Sequence, residues 1–210
     1  MRCYQDSTAR RAVDLGVAVL GLVLTSPLLG AIALWVRLTS PGPAFFRQER
    51  IGRDGRPFEI WKFRTMTVDM ARRGPLVSGR EDPRIARAGR TLRATRLDEL
   101  PQLVNMLRGD VTLIGSRPEV PRFVAYYTAE ERRLLDGPPG ILGPGALLFV
   151  EEQACALDAA VGPEAFYVDY LMHPKLAADL DYLVDRRLSR DLQLMTSTAL
   201  ALYRQRGSST

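Results

Sequence analysis

The stretch LGVAVLGLVLTSPLLGAIALWV, from Leu15 to Val36, decides how this chain of 210 residues is organised. None of its 22 side chains is charged. As a straight helix rising about 1.5 Å per residue it would be about 33 Å long, which is enough to cross the hydrocarbon core of a bilayer. The sequence therefore predicts a membrane segment within residues 1–40, and residues 41–210 are left to build a domain with its own core.

Basic residues flank this apolar stretch on both sides. Arg10 and Arg11 precede it, and Arg37 follows it directly. Because positive flanks favour the cytoplasmic side, both ends are drawn to the same face of the membrane. A helix broken at Ser26-Pro27 satisfies this bias, since proline removes a backbone donor and the serine hydroxyl can bond a backbone group freed in lipid. The sequence favours such a re-entrant helix; the alternative is a mildly kinked single span with its N-terminus outside.

The charge of the chain is unevenly distributed. The net charge is +5, but residues 37–122 hold 18 basic and 10 acidic side chains. Of the 29 basic residues in the whole chain 27 are arginine, whose planar guanidinium binds phosphate or carboxylate with two hydrogen bonds. The two cysteines lie far apart, which argues against a disulfide scaffold and a zinc module. The composition predicts an ordinary globular domain whose middle third meets an anionic partner.

The part of the chain after the apolar stretch mixes short strands with helices. Two strand-like runs surround Asp54-Gly55, which predicts a small β-hairpin. The two-residue period of its second strand places Lys62 and Arg64 on one face. Residues 83–96 predict a basic amphipathic helix of the kind that lies on an anionic membrane surface. The expected fold class is α+β and mostly helical, with amphipathic interfacial helices and a cytoplasmic catalytic domain.

A pair of adjacent carboxylates stands in the run RLDELPQLVNMLRGD (96–110). One interpretation is that Asp98 caps the helix that this run predicts. The other is functional: Asp98 and Glu99 lie where free amides favour anions. Arg93, Arg96 and Arg117 are nearby in sequence. A carboxylate in such company can act as a nucleophile or hold a divalent cation that bridges phosphates.

Two further segments follow this pair. The residues Thr112–Ile114 predict a short strand, and the proline of Arg117-Pro118 restricts the preceding arginine to extended conformations. The segment GPPGILGPG (137–145) predicts a rigid loop whose small residues let a ligand approach the backbone.

Together these blocks resemble the small monotopic phosphoglycosyl transferases, a bacterial sugar transferase family. The resemblance rests on the Ser26-Pro27 break and on three long motifs in fixed order. These motifs are PGPAFFRQERIGRDGRPFEIWKFRTM (41–66), RATRLDELPQLVNMLRGDVTLIGSRPE (93–119) and PPGILGP (138–144). It implies transfer of a sugar 1-phosphate from a UDP-sugar to polyprenyl (undecaprenyl) phosphate with release of UMP, the first membrane step of bacterial glycan assembly.

The same resemblance implies a role for each matching residue. Asp98 would attack the β-phosphorus of the UDP-sugar and carry a covalent phosphosugar, which polyprenyl phosphate then displaces. Glu99 would be its partner carboxylate, and the two would hold Mg²⁺. The residues expected to bind substrate are Lys62, Arg64, Arg93, Arg117, Pro118 and Gly140.

The family also implies a place in the cell and a set of partners. The protein is expected at the bacterial inner (cytoplasmic) membrane with its catalytic domain on the cytoplasmic face, in contact with membrane lipids, and without a nucleic-acid partner. Residues 145–172 depart from the family pattern, which leaves the donor sugar open, and a homodimer is left open too. The rival function is a membrane-tethered basic nucleic-acid-binding or regulatory protein, but the sequence lacks a helix-turn-helix, a zinc finger and a stacking aromatic array.

Overall fold

A computed structural model describes residues 8–68, 74–145, 156–184, 190–191 and 193–196. The described elements alternate between helices, short helical turns and strands, which confirms a mostly helical α+β fold. In chain order they are α1 (Thr8–Thr39), β1 (Phe45–Ile51), β2 (Pro57–Phe63), α2 (Arg87–Ala94), a 3₁₀ turn (Leu97–Glu99), α3 (Gln102–Arg108), β3 (Thr112–Ile114), α4 (Pro121–Val124), a 3₁₀ turn (Glu131–Asp136), β4 (Gly140–Leu142), α5 (Pro163–Phe166), a π-helical turn (Tyr167–Met172) and α6 (His173–Val184).

The predicted apolar segment forms one helix, α1, of 32 residues. Among the described helices, α1 is the one that is long and apolar enough to cross a membrane. One side packs on the rest of the protein through Ala18, Ile32 and Val36, while the other side is apolar and exposed. The exposed large side chains are Val13, Val19, Leu20, Val23, Leu24, Leu28, Leu34, Trp35 and Leu38.

The Ser26-Pro27 pair lies inside α1, and the serine replaces the backbone hydrogen bond that the proline removes. Proline at position 27 removes the N–H that would bond the carbonyl of Val23, four residues earlier. The hydroxyl of Ser26 donates to that carbonyl at 2.9 Å. The expected compensation by serine is therefore confirmed. The predicted break at Ser26-Pro27 is not seen, because helical structure continues from Thr8 to Thr39 with Pro27 inside it.

The predicted hairpin is confirmed, with β1 and β2 antiparallel and Phe46 opposite Lys62. Asp54 and Gly55 both take positive φ in the connecting turn, at 56° and 71°. The outer edge of β2 is closed by one side chain, because the Asn105 amide accepts the Trp61 N–H at 2.9 Å and donates to the Glu59 carbonyl at 2.7 Å. This contact ties the strand that bears Lys62 to helix α3.

The helix predicted over 83–96 is shorter, and its apolar side does not face lipid. Ile85 instead pairs with Met66 in an isolated bridge, so that helix α2 starts only at Arg87. Leu92 is fully buried in a cluster with Phe63 and with Ile32 and Val36 of α1. The apolar side of this helix is thus used to bind α1 to the catalytic domain.

The segment 137–145 was predicted as a loop, but its centre is strand β4, paired in parallel with β3. Gly140 is required there because a Cβ would come within 2.0 Å of the backbone N of Gly115. The close approach that its small residues allow is therefore to the protein's own backbone. The predicted strand Thr112–Ile114 is confirmed with the same bounds.

The C-terminal part packs on helix α4 and on the 3₁₀ turn Glu131–Asp136. Tyr167, Met172 and Leu176 pack with Phe123 and other apolar side chains in the largest described core cluster. Cys3, Cys155 and the first part of the divergent segment, residues 146–155, lie outside the described residues.

Candidate active site

The two carboxylates lie in the tight turn between α2 and α3. Arg96 enters this turn with a left-handed backbone, φ 57°, and residues Leu97–Glu99 form a single 3₁₀ turn. Helix α3 begins later, at Gln102, with no capping hydrogen bond from a side chain. Asp98 is therefore not the cap of this helix, and the capping interpretation is wrong.

Glu99 is held by three basic side chains. The Lys62 ammonium donates to its Oε1 at 3.1 Å, and the Arg117 guanidinium donates to both of its oxygens. Arg96 lies on the solvent side of the carboxylate, with Nη1 at 3.9 Å from Oε1. This places Lys62 of β2 and Arg117, just after β3, on one carboxylate. The resemblance implied that both bind substrate, which stays a prediction.

Asp98 is 7 % exposed, yet its Oδ1 has no hydrogen-bond partner among the residues that the structure describes. A buried carboxylate oxygen without a partner costs free energy, and such atoms in native proteins usually have a functional reason. Lys62, Arg93 and Arg96 are near enough for their charges to act on it. The turn therefore presents an unsolvated carboxylate oxygen in a field of positive charge.

The two adjacent carboxylates have opposite electrostatics. Burial raises the pKa of Asp98, and the charge of Glu99 raises it further. Burial also disfavours the Glu99 anion, but the charges of Arg117 and Lys62 outweigh it and hold its pKa well below the usual value. Such divergent environments are typical of catalytic pairs, in which one carboxylate reacts and the other stays ionised as a fixed partner.

The surrounding cations also differ from one another. Burial lowers the pKa of the Lys62 ammonium to about 8 in spite of Glu99. The Glu99 carboxylate raises the pKa of Arg117, so this guanidinium is always charged. The charges of Arg93 and Asp98 act on each other, and Nη2 of Arg93 donates to the Ser78 hydroxyl at 2.6 Å. The lysine is thus the cation of this group that titrates near neutral pH.

The structure does not bring the other predicted substrate-binding residues to this group. Arg64 donates instead to backbone carbonyls at the end of α1, including that of Ser40 at 2.7 Å. Strand β2 ends at Phe63, so the alternation that placed Arg64 beside Lys62 stops one residue too early. The Pro118 carbonyl accepts from Arg50, and Gly140 is buried between strands.

Sequence reasoning also missed residues that build this site. Arg96 was noted only as a neighbour, although its position two residues before Asp98 could have indicated its role. Asp179 was not predicted to have a role, but its Oδ1 accepts the Gly145 N–H at 2.8 Å, and the carboxylate also accepts the Arg117 N–H. Burial raises the pKa of Asp179 to about 7. No sequence signal marks it, because the contact crosses 34 residues.

The residues present fit a magnesium ion that is shared with a substrate. Mg²⁺ is usually held by one or two carboxylates and completes its shell with substrate phosphates and water. The partnerless oxygen of Asp98 beside Glu99 supplies such a pair. Within the described residues no group of three or more His, Cys, Asp or Glu side chains could form a complete protein cage.

An apolar helix of membrane length and a carboxylate pair among basic side chains are the features expected of a membrane-associated enzyme that acts on phosphates. A family model described as bacterial sugar transferase matches residues 5–205. The chain belongs to the bacterial sugar transferase family and is a glycosyl-1-phosphate transferase.

Named relatives share this region at similar identity. The chain is 38 % identical over 198 residues to the UDP-glucose:undecaprenyl-phosphate glucose-1-phosphate transferase of Caulobacter vibrioides, covering 92 % of this chain and 69 % of that protein. It is 42 % identical over 141 residues to the Escherichia coli enzyme of the same name, covering 64 % and 30 %. It is 42 % identical over 121 residues to the UDP-N-acetylgalactosamine-undecaprenyl-phosphate N-acetylgalactosaminephosphotransferase of Aeromonas hydrophila, covering 58 % and 29 %. The chain thus spans less than a third of the last two proteins.

Proposed function

We propose that this enzyme transfers a sugar 1-phosphate from a UDP-sugar to undecaprenyl phosphate, through a covalent phosphosugar on Asp98. The observation that carries the proposal is the buried Oδ1 of Asp98, which has no described hydrogen-bond partner and lies among cations beside an ion-paired Glu99. The names of the relatives support both substrates, since each is an undecaprenyl-phosphate sugar phosphotransferase.

In the first step the Asp98 carboxylate attacks the β-phosphorus of the donor. A bond forms between its oxygen and that phosphorus, while the bond to the bridging oxygen of the diphosphate breaks. UMP leaves with the electron pair of that bond, and the sugar phosphate stays on the enzyme as an acyl phosphate. The raised pKa of Asp98 reflects a poorly solvated carboxylate, which needs to lose little hydration before it reacts.

In the second step undecaprenyl phosphate uses the same site. One of its phosphate oxygens attacks the phosphorus of the adduct, the bond to Asp98 breaks, and the carboxylate is restored. The product is undecaprenyl diphosphate sugar. A covalent intermediate lets one site bind a soluble nucleotide and a bulky lipid one after the other.

The basic side chains keep the anionic nucleophile and the anionic donor together. Arg93 and Arg96 lie near Asp98, and Arg117 and Lys62 hold Glu99, so a donor phosphate replaces water in an already positive pocket. Mg²⁺ bound at the two carboxylates would add charge neutralisation of the diphosphate.

A UMP-release assay with detergent-purified protein tests this function. It uses Mg²⁺, undecaprenyl phosphate and a panel containing UDP-glucose, UDP-N-acetylgalactosamine and other UDP-sugars. The panel is needed because relatives with different donors match this chain at nearly the same identity, 38 % and 42 %. UMP that depends on the acceptor supports the proposal and names the donor, while silence across the panel from folded protein contradicts it.

The contacts of α1 support re-entry on one side of the membrane. Near its start, Arg11 donates to the carbonyl of Met106 at 2.7 Å and Asp14 accepts from Thr112 at 2.7 Å. At its far end Arg64 bonds the carbonyls that end the helix, including Ser40. Both ends therefore hold the same catalytic domain, whereas a perpendicular span would separate them by about 30 Å of hydrocarbon. We place both ends and the domain at the cytoplasmic face of the inner membrane.

A cysteine tag placed before residue 1 is expected to resist a membrane-impermeant thiol reagent added outside intact cells. It should react once the inner membrane is opened, as should a tag after residue 210, because both would be cytoplasmic. Reaction of the N-terminal tag in intact cells, with the C-terminal tag still protected, would establish a single span instead.

The kcat/KM for the UDP-sugar is expected to fall as pH rises through about 8, where Lys62 loses its proton. The fall has this direction because the Lys62 ammonium attracts the anionic donor. The ammonium is charged below its pKa and neutral above it. The Lys62→Arg variant keeps the charge and should lose this alkaline limb. A flat wild-type profile, or an unchanged limb in Lys62→Arg, would exclude Lys62 as the titrating group.

A further inference from the structure

A single carboxylate from the divergent C-terminal segment holds the loop that precedes α2. Asp158 accepts the backbone N–H of Arg80 through Oδ2 and that of Glu81 through Oδ1, both at 3.0 Å. Close by, Glu164 accepts the N–H of Leu76 at 2.7 Å. Two side chains far along the chain thus fix both ends of the short segment 76–81, which forms no strand or helix of its own.

The segment 76–81 places the hydroxyl of Ser78 at the edge of the candidate active site. Ser78 lies between the two anchored ends, and its Oγ accepts a hydrogen bond from Arg93 at 2.6 Å. Arg93 in turn is near enough to Asp98 for its charge to lower the pKa of that carboxyl. Contacts therefore run without a gap from Asp158 through the loop and Ser78 to the guanidinium beside the nucleophile.

We propose that Asp158 is a positioning residue, which fixes the Arg93 guanidinium for the donor diphosphate by holding the Ser78 loop. The inference rests on the proposed function, because it assigns Arg93 to the phosphates of that reaction. It gives the divergent segment a defined task at the catalytic centre, although none of its described residues touches Asp98 directly.

Oδ2 of Asp158 accepts both N–H groups, from Arg80 at 3.0 Å and from Glu81 at 3.2 Å, and Oδ1 accepts from Glu81 alone. In Asp158→Asn the amide oxygen could keep both contacts of Oδ2, but the NH₂ group would face the Glu81 N–H. Asp158→Asn should therefore loosen the loop less than Asp158→Ala, which removes every one of these hydrogen bonds.

Limited trypsin digestion tests the contact without any turnover. Of the two N–H groups that Asp158 holds, that of Glu81 belongs to the Arg80–Glu81 peptide bond, which is a trypsin site. Cleavage after Arg80, followed by mass spectrometry, should be about tenfold faster in Asp158→Ala than in wild type. Asp169→Ala, which removes an exposed carboxylate of the same segment, serves as the control and should match wild type. Unchanged cleavage in Asp158→Ala would overturn the proposal.

Kinetics test whether the contact acts through Arg93. Asp158→Ala should lower kcat/KM for the UDP-sugar by about 10- to 100-fold, as expected for a displaced catalytic group. In an Arg93→Ala background, Asp158→Ala should lower kcat/KM for the UDP-sugar little further. The losses of the two single variants should therefore not add.

The possible results divide cleanly. Additive losses would overturn the positioning role while wild-type UMP release upholds the proposed function. No UMP release from folded wild type with any donor would overturn the proposed function and the positioning role together, and the trypsin result would still decide the contact itself.

Discussion

Asp98→Asn is expected to lower acceptor-dependent UMP release by about 1,000-fold or more, because an amide cannot form the phosphosugar adduct. The variant should nevertheless fold. Burial and Glu99 already disfavour the Asp98 anion, so a neutral side chain of the same shape should leave the free energy of unfolding unchanged or raise it. A dead but stable protein is the combination that identifies a nucleophile.

Radiolabelled UDP-sugar without the lipid acceptor measures the first step alone. Wild type should become labelled and release UMP in equal amount, and Asp98→Asn should show neither. Asp54→Asn is a suitable control because it exchanges the same groups at an exposed position of the hairpin turn. A labelled adduct in the Asp98→Asn protein would place the nucleophile elsewhere.

Glu99→Gln should have the opposite effect on stability, although it changes the neighbouring residue in the same chemical way. Its carboxylate compensates Lys62 and Arg117, and all three side chains are largely buried. Removing the anion leaves two cations without their partner, which is expected to cost about 3 kcal/mol of unfolding free energy. Thermal unfolding in detergent at pH 7 measures the loss, and activity should fall with it.

A second substitution shows whether charge is the cause. Adding Lys62→Met to Glu99→Gln removes one of the two uncompensated cations and should recover part of the lost stability. Glu49→Gln, at an exposed position of β1, should not change stability. If Glu99→Gln unfolds at the wild-type temperature, or if the double variant is less stable than the single one, Glu99 is not the charge partner described here.

Local sequence signals predicted the elements that form locally. The turn at Asp54-Gly55 and the alternation around it predicted the hairpin, because both residues suit a positive φ. The bounds of α2 and strand β4 escaped prediction since each depends on a partner distant in sequence. Ile85 leaves the helix pattern to pair with Met66, and Gly140 becomes a strand residue only where Gly115 approaches it.

The residues of the candidate site likewise divide into those that local sequence predicted and those that depend on distant partners. The run with Asp98 and Glu99 was recognisable as an acidic pair near arginines. Lys62 and Arg117, predicted from their motifs to bind substrate, lie on Glu99. Arg64 has the same charge and a neighbouring position, but β2 ends before it and its guanidinium closes helix α1. Asp158 and Asp179 act through backbone groups far along the chain, and a hydrogen bond to a peptide N–H leaves no residue pattern in a single sequence.

The anchoring of α1 at both ends has a consequence for the lipid around it. Helices usually adapt to a bilayer that is too thin or too thick by tilting on their own. Here Arg11 and Asp14 fix one end, and the guanidinium of Arg64 fixes the other. In the proposed membrane placement the helix could not tilt without carrying the rest of the protein with it. Hydrophobic mismatch would then be absorbed by the surrounding acyl chains, and the protein would set the height of Asp98 above the membrane.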